Sequence, residues 1–163
     1  MKIGIVMGSD SDLPTMRKAT QVLEDFGISY EMVIASAHRT PEEVKSFVTR
    51  LETENSAAFI AGAGAAAHLP GVIASFTTRP VIGVPINATA LKGMDALLAI
   101  VQMPSGMPVA TMAIDGAKNA ALFAVQICAT ADAELQKKYK QYRDNMAAEV
   151  IAKNKKLQDE LNR

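Results

Sequence analysis

The chain has 163 residues, 49% of them hydrophobic and 5% aromatic, a length and composition that suit one domain with an aliphatic core. Its seventeen basic and seventeen acidic side chains cancel, and no block of like charge stands out. This balance argues against nucleic acid or a membrane surface as a partner and favours small molecules.

The amino-terminal half alternates short apolar runs with amphipathic segments. Buried strands are predicted at 3–7, 30–35 and 57–61, and helices at about 12–26 and 42–54. Gly27 ends the first helix, and Ser11 or Asp12 could cap its start. Thr40 as N-cap, Pro41 and Glu43 predict a capping box at the start of the second helix.

The carboxyl-terminal half continues the alternation. Strands are predicted at 80–84 and 109–113, and helices at 93–101 and 117–130. The extension 132–163 has apolar side chains at helical spacings, and at ~1.5 Å per residue it would be roughly 45 Å long. That is longer than one small domain needs, so we predict that this helix packs on a neighbouring subunit.

Five strands alternating with helices predict one α/β domain over residues 1–163. The expected architecture is a three-layer α/β/α fold with a flavodoxin-like, doubly wound parallel sheet of order 2-1-3-4-5. Right-handed crossovers place all strand-to-helix loops at one edge of such a sheet.

The compartment is predicted from the single cysteine and the start of the chain. Cys128 alone cannot form an intrachain disulfide or a thiolate metal cluster. The chain begins with a strand-like run instead of a basic and apolar leader, and no apolar stretch reaches the ~18 residues of a membrane span. We therefore expect a soluble, cytoplasmic protein.

Three strand-to-helix loops carry residues suited to a ligand. Residues 8–12 combine hydroxyls and carboxylates at a helix start, which suits a phosphate and a ribose, although an ordinary helix cap is the simpler interpretation. Residues 36–41 place His38 and Arg39 where a helix start favours an anion. Residues 62–71 are mostly glycine and alanine, and leave room for a ligand against the backbone.

Each of these signals has a structural alternative. Gly62, Gly64 and Ala67 have the spacing of a dinucleotide fingerprint, but they follow the third strand and no carboxylate lies about twenty residues further on. We therefore predict a smaller ligand. His38 could be an ordinary surface residue, and His68 could reach the ligand or only form a local hydrogen bond.

Taken in order, the motifs resemble the N5-carboxyaminoimidazole ribonucleotide mutases, the bacterial class of the carboxylase family of purine biosynthesis. The matching motifs are MGSDSD at 7–12, SAHRTP at 36–41, AGAG at 61–64 with AAHLPG at 66–71, and QMPSG at 102–106. The chain departs from the family pattern at Leu13, at Ala65, at 87–89 and at the short connection 114–116.

The resemblance implies an isomerase that uses no cofactor and no metal. It would move a carboxylate from the exocyclic nitrogen of an aminoimidazole ribonucleotide to C4, through carbon dioxide and aminoimidazole ribonucleotide. His38 would protonate the nitrogen as the carboxylate leaves and accept the C4 proton after recapture. The family is typically octameric, which fits the long terminal helix.

The resemblance also implies which residues bind the ribonucleotide. Arg39 and Ser9 would bind the phosphate and Asp12 the ribose. The remaining pocket positions would enclose carbon dioxide away from water, and they are Ser36, Gly64, Ala66, His68 and Leu69.

Three alternatives stay open at this point. The second class of the same family adds free carbon dioxide directly to aminoimidazole ribonucleotide. A non-catalytic nucleotide-binding module could use the same sheet. A dinucleotide-dependent enzyme is the third alternative.

Overall fold

The computed structural model describes residues 1–162. The first half of the chain forms β1 (Lys2–Met7), α1 (Leu13–Phe26), β2 (Ser29–Ile34), α2 (Pro41–Thr53) and β3 (Ala58–Gly64). The second half forms α3 (Leu69–Ala74), β4 (Val81–Ile86), α4 (Met94–Val101), β5 (Ala110–Thr111), α5 (Ala117–Ala129) and α6 (Ala133–Leu161). One 3-10 turn, Asp10–Asp12, separates β1 from α1.

The five strands form one sheet of order β2-β1-β3-β4-β5, and all neighbouring strands run parallel. The predicted flavodoxin-like order is therefore confirmed. Parallel strands place their carboxyl ends at the same edge, so the loops after β1, β2, β3 and β4 meet there.

Helices cover both faces of the sheet. Because the strands are pleated, successive side chains of β1 point to opposite faces. Ile5 packs with α1 and α5, whereas Val6 packs with α2, α3 and α4. At Gly4 a Cβ would lie 2.5 Å from Cδ1 of Phe59, so a glycine is needed where this ring crosses β1.

The predicted helices agree with the structure to within one residue at each end for α1, α2, α4 and α5. Three strands differ more, and β4 ends at Ile86 instead of residue 84. β3 continues through Gly64 because its last residues pair with β4, with Gly64 opposite Ile86. β5 has only two residues instead of the predicted five, and α3 was not predicted as a separate helix.

The predicted capping box at α2 is wrong. Thr40 occupies the N-cap position, but its side chain makes no capping bond to α2. Its Oγ1 instead accepts the backbone N–H of Ser36 at 2.9 Å. Similarly, Asp12 precedes α1 without a side-chain cap, and Ser9 caps the preceding 3-10 turn.

Helix α6 has two different halves. Its first turns pack on α5 and α1 through Leu135, Tyr139 and Tyr142, with the rings of Tyr142 and Phe26 5.6 Å apart. Every residue from 143 to 162 is exposed. Position 163 of the predicted extension lies outside the described residues. No helix within residues 1–162 is both long and apolar enough to span a bilayer.

Candidate active site

A cavity of about 310 Å³ lies at the carboxyl edge of the sheet, between the loops that follow β1, β2, β3 and β4. Eight of the nine predicted site residues line it, and these are Ser9, Asp12, Ser36, His38, Arg39, Gly64, Ala66 and Leu69. The ninth, His68, reaches the cavity through His38. The sequence analysis missed several lining residues, of which Ala88, after β4, is the most distant in sequence.

A larger groove of about 790 Å³ lies at the opposite edge, near the amino end of β4. Its charged lining residues are Glu52 and Arg79. The Glu52 carboxylate already accepts hydrogen bonds from the Thr77 hydroxyl and from the amide and hydroxyl of Thr78. This groove offers no acid–base pair, so the smaller cavity is the candidate site.

The loop after β1 is folded around the Ser9 side chain. The Oγ of Ser9 accepts the N–H of Ser11 at 3.3 Å and the hydroxyl of Ser11 at 2.9 Å, and its own hydroxyl donates to Asp10 at 3.1 Å. The turn exposes hydroxyl groups at the start of a helical segment, an arrangement suited to an anion.

Asp12 is a buried carboxyl group in the cavity wall, with 5% of its surface exposed. Burial raises the pKa of Asp12, while hydrogen bonds from the Ser11 hydroxyl and from backbone amides oppose that rise. A buried carboxylate gains from further donors, and the hydroxyls of a sugar can supply them.

The loop after β2 is held by its own side chains. The Oγ of Ser36 accepts the backbone N–H of His38 at 3.3 Å and that of Arg39 at 3.2 Å. The hydroxyl of Thr40 accepts the N–H of Ser36 in turn. These bonds fix the backbone that carries the histidine and the arginine.

Arg39 connects the first two loops. Its Nη2 donates to the backbone carbonyl of Gly8 at 2.8 Å. The guanidinium has five N–H donors in all, so this bond leaves others for a ligand in the cavity. Its planar fork matches the geometry of a phosphate.

The two histidines of the chain lie against each other. Nε2 of His38 is 2.8 Å from Nδ1 of His68, with the ring centroids 4.9 Å apart. His68 therefore contacts the predicted acid–base residue, which lies 30 positions away in another loop, and this contact is not the local hydrogen bond considered from the sequence. His68 reaches this position because the chain turns after β3 and α3 begins directly behind it.

The end of β3 forms the cavity wall with the smallest side chains. A Cβ on Gly64 would lie 2.6 Å from the Cβ of Ala88, so the backbone of β3 and the β4–α4 loop approach closely there. Ala65 has a φ of 50°, a left-handed conformation that favours glycine. Among residues 1–162, no group of three or more acidic, histidine or cysteine side chains could hold a metal ion.

Comparison with known proteins identifies the family. The family model described as AIR carboxylase matches residues 2–149. The chain belongs to the AIR carboxylase family.

Relatives in this family are similar over nearly the whole chain. The N5-carboxyaminoimidazole ribonucleotide mutase of Pyrococcus horikoshii is 54% identical over 157 residues, which are 96% of this chain and 89% of the relative. The mutase of Thermotoga maritima is 50% identical over 96% of this chain and 92% of its own length. The crystal structure of Treponema denticola PurE matches with a TM-score of 0.88 and 32% identity, covering 96% of this chain and 98% of that one.

Three of the positions at which the chain departs from the expected family pattern have a defined geometry. Ala65, where the family resemblance leads us to expect glycine, adopts the left-handed conformation that glycine favours. The unusual stretches 87–89 and 114–116 touch each other, since the N–H of Asn87 donates to Oδ1 of Asp115 at 3.1 Å.

Proposed function

We propose that this protein is an N5-carboxyaminoimidazole ribonucleotide mutase, an isomerase of purine biosynthesis. It converts N5-carboxyaminoimidazole ribonucleotide to 4-carboxy-5-aminoimidazole ribonucleotide. The names of relatives about 50% identical over 96% of the chain support this assignment. The observation that carries it is the cavity itself, which His38, Arg39 and Asp12 all line.

His38 serves as both acid and base in the proposed reaction. The bond from the exocyclic nitrogen to the carboxylate breaks, carbon dioxide leaves, and the nitrogen keeps the electron pair and takes a proton from the His38 imidazolium. C4 then attacks carbon dioxide, and the neutral imidazole of His38 removes the C4 proton. His38 ends the reaction with the same number of protons as it began, so neither cofactor nor metal is needed.

The phosphate and ribose of the ribonucleotide are held by residues of the loops after β1 and β2. Arg39 and Ser9 bind the phosphate, because they are a guanidinium and a hydroxyl at neighbouring helix starts. Asp12 accepts hydrogen bonds from the ribose. The Arg39 guanidinium and the Ser9 hydroxyl are both anchored by backbone contacts before any ligand arrives, which lowers the entropy lost on binding.

The remaining lining residues enclose the reacting centre. Gly64, Ala66 and Leu69 contribute little side-chain bulk or only apolar surface, and Ser36 and His68 fix the histidine loop and the His38 ring. Small side chains at these positions leave room for carbon dioxide to stay beside the aminoimidazole until C4 attacks.

The active assembly is a homo-octamer in the cytoplasm. Two exposed apolar surfaces of the protomer support subunit contacts. One is on α4 and includes Met94, Leu98 and Val101, which are 48–52% exposed. The other is on the distal half of α6 and includes Val150 and Ile151, which are 65% and 69% exposed.

Substrate assays test the reaction class. The purified protein should convert N5-carboxyaminoimidazole ribonucleotide without added bicarbonate. Turnover of aminoimidazole ribonucleotide that depends on bicarbonate, with no reaction of the N-carboxylated substrate, would assign the chain to the class that uses free carbon dioxide. Binding of the ribonucleotide without turnover in either assay would leave a non-catalytic module.

A further inference from the structure

The carboxyl end of β4 extends beyond its neighbour in the sheet. Only two residues of β4 pair with β5: Ile82 pairs with Ala110, and Gly83 pairs with Thr111. The backbone groups of β4 that follow on this side would lack strand partners. Pro85 has no N–H, so the groups concerned are its carbonyl and the N–H of Asn87.

Asp115 pairs with both of these groups. Its backbone N–H donates to the Pro85 carbonyl at 2.8 Å, and its Oδ1 accepts the N–H of Asn87 at 3.1 Å. A side-chain oxygen thus takes the place of the strand carbonyl that β5 does not supply. The bond is stronger than one to a neutral acceptor because the carboxylate is charged.

The backbone of Asp115 is adapted to this double contact. Its φ is 56°, in the left-handed region. Aspartate and asparagine adopt that conformation more readily than other residues with a Cβ. The N–H of Gly116 closes the turn on the carbonyl of Ala113 at 2.9 Å.

The segment that Asp115 holds leads directly into the cavity wall. Ala88 follows Asn87 and lines the cavity, with its Cβ so close to Gly64 that a Cβ there would be at 2.6 Å. On the other side of Ala88, the hydroxyl of Thr89 donates to Oδ2 of Asp95 at 2.8 Å. The turn is therefore fixed at both ends by aspartates that do not line the cavity.

We propose that Asp115 is a positioning residue for the ribonucleotide pocket, because its hold on Asn87 sets where Ala88 closes the wall beside Gly64. This role rests on the proposed function, since the ligand in that pocket is the ribonucleotide. Asp115 contacts none of the groups assigned to proton transfer. Its loss should therefore weaken binding of ground state and transition state alike.

Three substitutions at one position separate the hydrogen bond from the backbone conformation. Asp115→Ala removes the acceptor and disfavours the left-handed backbone, whereas Asp115→Gly removes the acceptor and permits that backbone. Asp115→Asn keeps an oxygen acceptor and tolerates the conformation. We expect KM for N5-carboxyaminoimidazole ribonucleotide to rise about tenfold in the first two with kcat within about twofold, and to return to within about threefold of wild type in the third.

Asp132→Ala is the matched control. Asp132 also accepts a backbone N–H through its Oδ1, from Leu135 at 3.0 Å, but it caps α6 and does not lie near the cavity. We expect this variant to lose stability with an unchanged KM.

Hydrogen exchange at the Asn87 amide measures how firmly the turn is held and does not need substrate. The exchange rate should increase in Asp115→Ala and Asp115→Gly only.

The outcomes distinguish this role from the proposed function. An inactive wild-type protein would overturn the reaction, whereas an active wild type with unchanged KM in folded Asp115→Gly would overturn the role of Asp115 alone. The role would also fail if Asp115→Asn behaved like Asp115→Gly, or if kcat fell while KM stayed constant. If Asp115→Ala does not fold, the glycine and asparagine variants still decide the result.

Discussion

Nε2 of His38 lies 2.8 Å from Nδ1 of His68, and the planes of the two rings are 80° apart. A hydrogen bond at this distance has one proton between the two nitrogens, so one ring donates and the other accepts. When His38 is an imidazolium, it donates to His68. His68 thus fixes the ring orientation of the residue to which we assign proton transfer.

Replacing His68 by phenylalanine should lower kcat. The ring of His38 would lose its partner and its fixed orientation, and we expect kcat to fall roughly 10- to 100-fold with a smaller change in KM. Steady-state kinetics on the N-carboxylated substrate measures the split. His68→Asn is the matched control, because an amide oxygen can replace Nδ1 as an acceptor, and it should recover part of the loss. Equal kcat in His68→Phe and wild type would contradict an orienting role.

Replacing His38 by asparagine should leave a folded protein that binds product and turns over very slowly. General acid–base catalysis typically contributes about 10²- to 10⁴-fold, and a loss of this size is expected in kcat. Calorimetric titration with 4-carboxy-5-aminoimidazole ribonucleotide should give a Kd within about tenfold of wild type. Full turnover by this variant would remove His38 from the mechanism.

Replacing Asp12 by asparagine should stabilise the protein at neutral pH and weaken ribonucleotide binding. Burial raises the pKa of Asp12 in the folded state above the ~3.9 of an unfolded aspartate, so the folded state binds this proton more tightly. The contribution of Asp12 to the free energy of unfolding is therefore fully present below the unfolded pKa and is lost as pH rises through the folded pKa. The asparagine side chain carries no charge, so Asp12→Asn should not lose stability at this position as pH rises.

Urea unfolding from pH 3.5 to 7 checks this sign, with Asp10→Asn as control because Asp10 is exposed in the same turn. The difference between Asp12→Asn and wild type should grow with pH, and the difference for Asp10→Asn should stay within about 0.5 kcal/mol. A variant that is less stable than wild type at pH 7 would show that Asp12 is held by stabilising contacts that outweigh its burial.

The sequence was sufficient for the sheet and for most of the site, for a topological reason. Apolar runs such as 3–7 locate the strands, and parallel strands bring the loops after them to one edge whatever the side chains are. Ser9, His38 and Gly64 could therefore be assigned to one cavity although they are far apart in the chain.

Features that depend on competing partners could not be predicted in the same way. Thr40 has the sequence context of a capping residue, but the path of the loop brings the Ser36 N–H to its hydroxyl instead. Asp115 meets Asn87 across 28 residues because β5 ends early, and no local pattern indicates that ending. The contact of His38 with His68 likewise depends on how the chain turns after β3.

The close approach of Gly64 and Ala88 makes a paired substitution informative. A Cβ on Gly64 would lie 2.6 Å from the Cβ of Ala88, so Gly64→Ala must displace the β4–α4 turn or the end of β3. We expect a loss of about 1–3 kcal/mol in the free energy of unfolding together with weaker ribonucleotide binding. The additional substitution Ala88→Gly removes the opposing methyl and should restore much of the loss.

A double-mutant cycle of these variants measures the coupling directly. Residues in contact usually couple by about 0.5–3 kcal/mol, so the effect of Gly64→Ala should depend on whether Ala88 is present. Additive effects on unfolding would mean that the loss in Gly64→Ala does not arise from contact with Ala88, and the cavity wall would then be more adaptable than the structure indicates.

The distal half of α6 should matter for assembly and little for the fold of the protomer. The residues that pack on α5 and α1 are Leu135, Tyr139 and Tyr142, and every residue from 143 to 162 is exposed. Deleting 143–163 should therefore leave a folded protomer, as judged by circular dichroism. If the apolar residues of this half pack on a neighbouring subunit, light scattering should show a shift from the mass of eight 17.4 kDa chains to a smaller species.

A single substitution separates loss of apolar contact from loss of length. Ile151 is 69% exposed in the protomer, so Ile151→Asp has no buried contact to break within one chain. At a subunit interface the same change would bury an unpaired carboxylate, which costs several kcal/mol and should dissociate the assembly. Asn154→Asp adds the same charge to the same exposed helix without removing an apolar side chain, and it should leave the mass unchanged. An octamer that persists in both Ile151→Asp and the truncated chain would place its contacts on another surface, such as the exposed face of α4.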